Sequence, residues 1–123
     1  MSIQIINMKY VDGFVLVVPK KKVGAYRKMA QLAGKMWKRH GALEYFECMG
    51  DDLNPNTGGM KTMTFPKMAK LKKGETVWSS FIVYKSKVHR NKVNAKVMKD
   101  PMMNEENWKD KPMPFDMKRM AYG

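Results

Sequence analysis

The sequence predicts an α+β domain in which strands and helices follow the order βαββαβ, with two helices on one face of an antiparallel sheet. Two stretches share one pattern, because in each a short apolar, β-branched run is followed at once by a basic amphipathic helix. These units are Tyr10–Pro19 followed by Lys21 to about His40, and Val77–Tyr84 followed by Ser86 to about Lys99. One further strand after each unit completes the fold.

Length and composition indicate a single globular domain. A chain of 123 residues has room for one core, and its 44% hydrophobic and 28% charged residues are typical of a soluble protein. The longest apolar run, Phe14–Pro19, is too short to cross a bilayer, and the N-terminus lacks the features of a signal peptide. Cys48 is the single cysteine, which excludes an internal disulfide, so we expect a cytoplasmic protein.

The first unit begins with a strand, Tyr10–Pro19, that is apolar on both faces and should therefore be covered on both sides. The helix that follows carries apolar residues at helical spacing, and Gly41 is placed to end it. We assign residues 1–8 to a short N-terminal arm and residues 9–123 to the single domain. The apolar positions of this helix are Val23, Tyr26, Ala30, Ala33 and Trp37.

The remaining elements follow from turn formers and apolar runs. Strand two is expected at Leu43–Met49, a loop at Gly50–Gly59, and a short strand at Met60–Phe65. Ser86 is a suitable N-cap for the second helix. Met117–Gly123 begins a last strand.

The strong positive charge suggests anionic partners. Twenty-four Lys and Arg face 11 Asp and Glu, giving a net charge of +13. Only four of the cations are Arg, the residue that reads bases and grips phosphate bidentately. A solvated basic surface is therefore the favoured interpretation, and nucleic acid is a less favoured partner.

Asp12 is the most unusual residue of strand one, because a carboxylate inside an apolar strand is costly unless it is paired. One interpretation is a structural ion pair with a cation of a neighbouring strand, for which Arg119 is a candidate. The other is a base or ligand anchor in a cavity. The sequence leaves both open.

Glu44 and Glu47 on strand two are further candidates. Strand alternation places them on opposite faces, so they cannot act together as an acid–base pair. We expect one to face a cavity and the other a helix edge or solvent. The candidate ligand-binding residues are thus Asp12, Glu44, Glu47 and Arg119.

Metal and cofactor sites are not indicated. His40 and His89 are far apart and lack metal-ligand spacing, and His40 is placed to interact with the C-terminal end of the first helix. Cys48 has no identifiable base nearby and is expected to be an inert strand residue. No glycine-rich phosphate loop follows a strand. We therefore expect no metal and no cofactor, and the sequence assigns no catalytic residue.

An ordered series of motifs resembles a bacterial family, domain of unknown function 1428, the YbaA-like proteins. The motifs run along nearly the whole chain and include YVDGFV at Tyr10–Val15, HGALE at His40–Glu44, VNAKVM at Val93–Met98 and MPFDMKRM at Met113–Met120. The resemblance implies a ferredoxin-like subunit of the dimeric α/β-barrel superfamily and a homodimer. It implies no reaction. The chain departs from the family in its arm, its basic character and its early C-terminus, which should shorten the last strand.

Three functions fit these observations. The first is a small-molecule-binding protein, with catalysis left open. The structural feature that would distinguish it is a pocket holding Asp12 or a strand-two glutamate. The second is a structural or stress-related interaction protein without catalysis. The third is a non-specific polyanion binder. The structural feature that would distinguish it is a continuous lysine stripe on one face of the dimer. No membrane partner is expected.

Overall fold

The computed structural model of the protein describes residues 8–123, and most of the expected N-terminal arm, 1–7, lies outside the described residues. Within residues 8–123, four strands and three helices follow one another, joined by loops and short 3₁₀ turns. The strands are β1 (Tyr10–Pro19), β2 (Glu44–Met49), β3 (Glu75–Tyr84) and β4 (Ala121–Tyr122). The helices are α1 (Val23–Arg39), α2 (Phe65–Met68) and α3 (Lys87–Met98).

The strands form one antiparallel sheet in the order β2-β3-β1-β4. β1 and β3 pair over their full ten residues, from Tyr10 opposite Tyr84 to Pro19 opposite Glu75. β2 pairs with the other edge of β3, and the short β4 pairs with β1. This arrangement confirms the predicted α+β class with an antiparallel sheet and helices.

The core lies between this sheet and the helices α1 and α3. Side chains with even numbers on β1 and β3 face the helices, as the period of a strand requires. One buried cluster joins Met36 of α1 to Val93 and Val97 of α3 over Ile82 and Tyr84 of β3. A second joins α1 to the other end of the central strands through Tyr26, Ala30, Leu16, Val18 and Trp78. Both helices therefore cover the same face of the sheet.

The ends of the two long helices agree with the sequence signals. A 3₁₀ turn over Lys20–Lys22 leads into α1, and Gly41 follows its end with a φ of 112°. The amide of Gly41 donates to Lys38 O at 3.1 Å. At the start of α3, Ser86 Oγ accepts a hydrogen bond from the amide of His89 at 3.2 Å, which confirms the predicted N-cap.

Two predicted strands differ from the structure. Met60–Phe65 is not a strand, because Thr64 caps the short helix α2 by accepting from the amide of Lys67, and Pro66 suits a first helical turn. Most of Met117–Gly123 is also not a strand. Asp116 caps a 3₁₀ turn over Met117–Arg119, so the strand shrinks to the two residues of β4.

We predict that Gly41→Ala lowers the free energy of unfolding by about 1–2 kcal/mol, because a side chain with a Cβ resists the left-handed conformation that ends α1. Gly24→Ala is the matched control. A Cβ added at Gly24 meets no atom within 4 Å, so this variant should be as stable as the parent or slightly more so. Urea denaturation measures both. Equal midpoints for the two variants would contradict the role assigned to Gly41.

Candidate functional site

A cleft of about 850 Å³ opens between α1 and β2, on the face of the sheet that the helices cover. Its walls combine apolar and polar side chains of these two elements with one residue of β3. The lining residues are Arg27, Ala30, Gln31, Gly34, Lys35, Lys38, Tyr45, Glu47, Met49 and Trp78.

The carboxylate of Glu47 is the polar centre of this cleft. Tyr26 of α1 donates its hydroxyl to Glu47 Oε2 at 2.8 Å, and Tyr45 of β2 donates to Oε1 at 2.7 Å. Tyr45 and Glu47 reach the same side of β2 because residues two apart share a strand face. Glu47 therefore links the helix to the edge strand, and both of its oxygens are occupied by neutral donors.

Burial controls the protonation of this group. Desolvation raises the pKa of Glu47 above its usual value, although the hydrogen bonds from Tyr45 and Tyr26 act in the opposite direction. Burial also raises the pKa of both tyrosines well above the usual range, and the neighbouring carboxylate raises them further. The two phenols thus remain protonated donors, while Glu47 holds a proton more readily than a solvated glutamate does.

Trp78 supplies an unused donor beside this carboxylate. The residue is 4% exposed, and its indole packs against Tyr26 with ring centroids 4.7 Å apart. Trp78 Nε1 is near enough to Glu47 to lower its pKa, yet it makes no regular hydrogen bond to any described residue. A buried donor without a partner costs about 1–3 kcal/mol, which an acceptor from a ligand would recover.

The mouth of the cleft is cationic. Arg27, Lys35 and Lys38 project from one side of α1 around Gln31. Gly34 lies among them, and a Cβ at this position would come within 3.0 Å of the Tyr45 ring. Glycine therefore allows α1 to approach the tyrosine that orients Glu47.

A smaller cavity of about 250 Å³ continues beneath α1 from the same polar centre. It shares Ala30, Tyr45 and Glu47 with the cleft. Its other walls are apolar apart from Ser80 and the hydroxyl of Tyr26, and they are formed by Phe14, Leu16, Tyr26, Met29, Ala33, Trp37, Ile82, Phe115, Met117 and Met120. The site thus has a cationic mouth, a hydrogen-bonding centre and an apolar branch.

Of the four residues singled out in the sequence, the structure places only Glu47 in the cleft. Glu44 is exposed and lies on the opposite face of β2. Arg119 lies elsewhere, where it pairs with Glu75 of β3 through Nη2 and Oε1 at 2.9 Å. The sequence does not single out Tyr26 and Trp78 as site residues, because both fit equally well as core residues and no local motif joins them to Glu47. For Tyr45 the signal is its position two residues before Glu47 on the same strand face.

Asp12 is buried, and its partner is Arg90 of α3 rather than Arg119, so the candidate partner named from the sequence was wrong. Arg90 Nη1 lies 3.4 Å from Asp12 Oδ1, and its Nη2 donates to Tyr10 Oη at 3.1 Å. The guanidinium also lies 5.1 Å from the centre of the Tyr10 ring. This cluster attaches α3 to β1 and lies outside the cleft.

His40, at the end of α1, contacts the carboxylate of Asp100. His40 Nε2 lies 2.7 Å from Asp100 Oδ2, which also accepts from Arg39 Nη2 at 2.7 Å. The amide of Met102 donates to the other oxygen, and these bonds lower the pKa of Asp100 to about 2. The carboxylate therefore joins the C-terminal end of α1 to the turn after α3.

Among residues 8–123, no group of three or more His, Cys, Asp and Glu residues is arranged to hold a metal ion. None of the helices in the same range has the length and apolar character needed to cross a membrane.

Comparison with known proteins identifies close relatives. Residues 9–117 match the family described as "Protein of unknown function (DUF1428)". The chain is 44% identical over 116 residues to the uncharacterised protein YbaA of Escherichia coli strain K12, an alignment that covers 94% of this chain and 93% of the relative. The uncharacterised protein YbaA of Shigella flexneri aligns with the same identity and coverage.

We predict that Asp12→Asn lowers the free energy of unfolding by about 1–3 kcal/mol, because it leaves the half-buried Arg90 without its counter-charge. Asp51→Asn is the control, since Asp51 is exposed in a loop. Urea denaturation at neutral pH compares the two. An Asp12→Asn variant at least as stable as the parent would show that Asp12 does not act as a structural partner of Arg90.

Proposed function

The chain belongs to the DUF1428 family, for which no activity is established, and we propose that it is a small-molecule-binding protein whose ligand occupies the cleft between α1 and β2. The observation that carries this proposal is the Glu47 carboxylate, held by two tyrosines beside the unpaired donor of Trp78. Convergent polar groups with a shifted pKa in a concave site are typical of binding and active sites.

The size and lining of the cleft support this function. Its volume of about 850 Å³ lies within the range of about 300–1,000 Å³ that small-molecule sites occupy. The apolar branch would take a hydrophobic portion of the ligand. A polar group of the ligand would contact Glu47 and accept from Trp78, and the cations at the mouth favour a ligand with a negative charge.

Catalysis is not required by this proposal. If the ligand reacts, Glu47 is the group placed to take a proton, because its carboxylate lies in the cleft and burial raises its pKa above the usual value. The resemblance to a superfamily that includes cofactor-independent monooxygenases is an argument from fold alone. The alternative, a structural or stress-related interaction protein without catalysis, gives no role to the polar groups that converge on the cleft.

We also propose that the subunit is ferredoxin-like and forms a homodimer of the dimeric α/β-barrel kind. The strand order β2-β3-β1-β4 supports the first part. For the second, the sheet face opposite the helices is apolar, with Val11 44% and Phe46 41% exposed. Phe46 and Phe81 lie side by side there, with ring centroids 4.8 Å apart. A second copy would cover this face.

A reducing cytoplasm is the location we propose. Cys48 is free and exposed, and it lies on β2 on the side of the sheet away from the helices. An exposed thiol is open to oxidation in an oxidising compartment.

A thermal-shift screen with small carboxylic acids, phenols and their neutral analogues tests the binding proposal. At least one compound should raise the melting temperature of the parent and of Glu44→Ala, but not of Glu47→Ala. Glu44 is the matched control because it lies on the same strand and the opposite face. Gln31→Trp fills the mouth of the cleft from an exposed position and should also abolish the shift.

Two results would contradict the binding proposal. The first is that no compound in the screen shifts the parent. The second is that the compounds that shift the parent act equally on Glu47→Ala and Gln31→Trp, which would place the ligand elsewhere.

We predict that the parent sediments at twice the 14.3 kDa mass of the chain at micromolar concentration, and that Phe81→Asp sediments as a monomer. The added carboxylate would be buried without a partner in the interface. Val88→Asp is the control, because Val88 is 64% exposed on α3 and should leave the dimer intact. A monomeric parent, or a dimeric Phe81→Asp variant, would overturn the proposed interface.

A further inference from the structure

Every charged side chain of α1 and α3 is a cation. α1 carries five, and α3 carries four. None of the 11 Asp and Glu residues of the chain lies on either helix. We call the solvent-facing side of these two helices the helix layer. Its cations are Arg27, Lys28, Lys35, Lys38, Arg39, Lys87, Lys92 and Lys96, whereas Arg90 points to β1, where it pairs with Asp12.

The structure brings the two helices together on one face. Both pack on Ile82 and Tyr84 of β3, and Trp37 Nε1 of α1 donates to Asn94 Oδ1 of α3 at 3.1 Å. Arg39 and Arg90 are held in ion pairs with Asp100 and Asp12. The lysines of the layer are exposed. Neighbouring helices thus present one positive surface, which is the feature expected of a polyanion binder.

We propose that the helix layer binds the phosphate backbone of nucleic acid without sequence preference. Lysine supplies a point charge that neutralises a phosphate and releases a counterion. Unlike arginine, it does not form bidentate hydrogen bonds to the edge of a base. The 17 residues of α1 span about 25 Å, which corresponds to about seven phosphates along one strand of a duplex. The layer is therefore long enough to neutralise several phosphates at the same time.

An anionic membrane surface fits the helix layer less well. A helix that binds a membrane inserts an apolar face into the lipid boundary. The apolar faces of α1 and α3, including Tyr26, Ala30, Val93 and Val97, are already buried against the sheet. The exposed side of each helix offers only isolated apolar residues, such as Leu32 and Val88.

This surface is independent of the proposed dimer, and it meets the ligand cleft only at Arg27, Lys35 and Lys38. The dimer would bury the opposite face of the sheet and leave the helix layer open on both subunits. A second basic stretch without carboxylates lies between β2 and β3, where Lys61, Lys67, Lys72 and Lys73 are exposed. Only the four residues of α2 in this stretch are helical, so it is not part of the helix layer. Replacing its lysines therefore tests the same loss of charge at a different place on the surface.

Fluorescence anisotropy with a labelled random-sequence duplex of about 20 base pairs tests the proposal, with salt raised from about 50 to about 200 mM. The parent should bind, and its affinity should fall steeply with salt. A layer variant replaces Lys28, Lys87, Lys92 and Lys96 with Gln, and a loop variant replaces Lys61, Lys67, Lys72 and Lys73 with Gln. Both variants have four fewer positive charges than the parent, and none of these lysines lines the cleft.

The layer variant should bind at least tenfold more weakly at the lowest salt. Its slope of log affinity against log salt should fall by about 0.9 for each phosphate that the layer no longer neutralises. The loop variant should keep nearly the parent slope, and a second duplex of different sequence should bind the parent equally. The proposal is overturned if the parent does not bind at the lowest salt, or if both variants weaken equally. It is also overturned if phosphatidylserine vesicles bind the parent while the duplex does not.

Discussion

The ten-residue antiparallel pairing of β1 with β3 is the constraint on which the rest of the structure depends. It joins two strands that are distant in the sequence, from Tyr10 with Tyr84 to Pro19 with Glu75. Because side chains alternate along a strand, this one register decides which residues face the helices and which face the open side. A slip of one residue would turn Leu16, Val18, Trp78 and Tyr84 away from α1 and α3, against which they now pack almost completely buried. The hydrophobic cost of that exchange holds the register in place.

The candidate site follows from the same alternation, extended to β2. Glu47 pairs with Ser80 of β3 and points toward α1, whereas Glu44 points to the open side. Tyr26 of α1 then closes over the Glu47 carboxylate. The partial burial that raises its pKa is thus a consequence of how the helix packs on the sheet. The two faces have different characters as a result, since one carries the cleft and cationic helices and the other an apolar aromatic pair.

Local signals were sufficient for the elements with strong periodicity or caps. The two strand–helix units, the Ser86 cap and the Gly41 stop were all predictable from residues near in sequence. Tertiary contacts decided the rest. Met60–Phe65 has the composition of a strand, but residues 60–64 are irregular and the helix α2 begins at Phe65, behind the Thr64 cap. The alternation of β2 separated Glu44 from Glu47 and placed Tyr45 beside Glu47. Tyr26, which also holds Glu47, and Arg90, the partner of Asp12, come from distant positions that no spacing rule connects.

The central claim of this account is that a partly desolvated carboxylate, Glu47, forms the floor of a ligand site. An NMR titration of its carboxyl carbon, assigned by comparison with Glu47→Gln, measures this directly. The account predicts a midpoint above the usual glutamate pKa of 4.5, because burial penalises the ionised form more than Tyr26 and Tyr45 stabilise it. It also predicts that a ligand bound at this carboxylate shifts the midpoint. A midpoint at or below 4.5 would show a solvated carboxylate and contradict the claim.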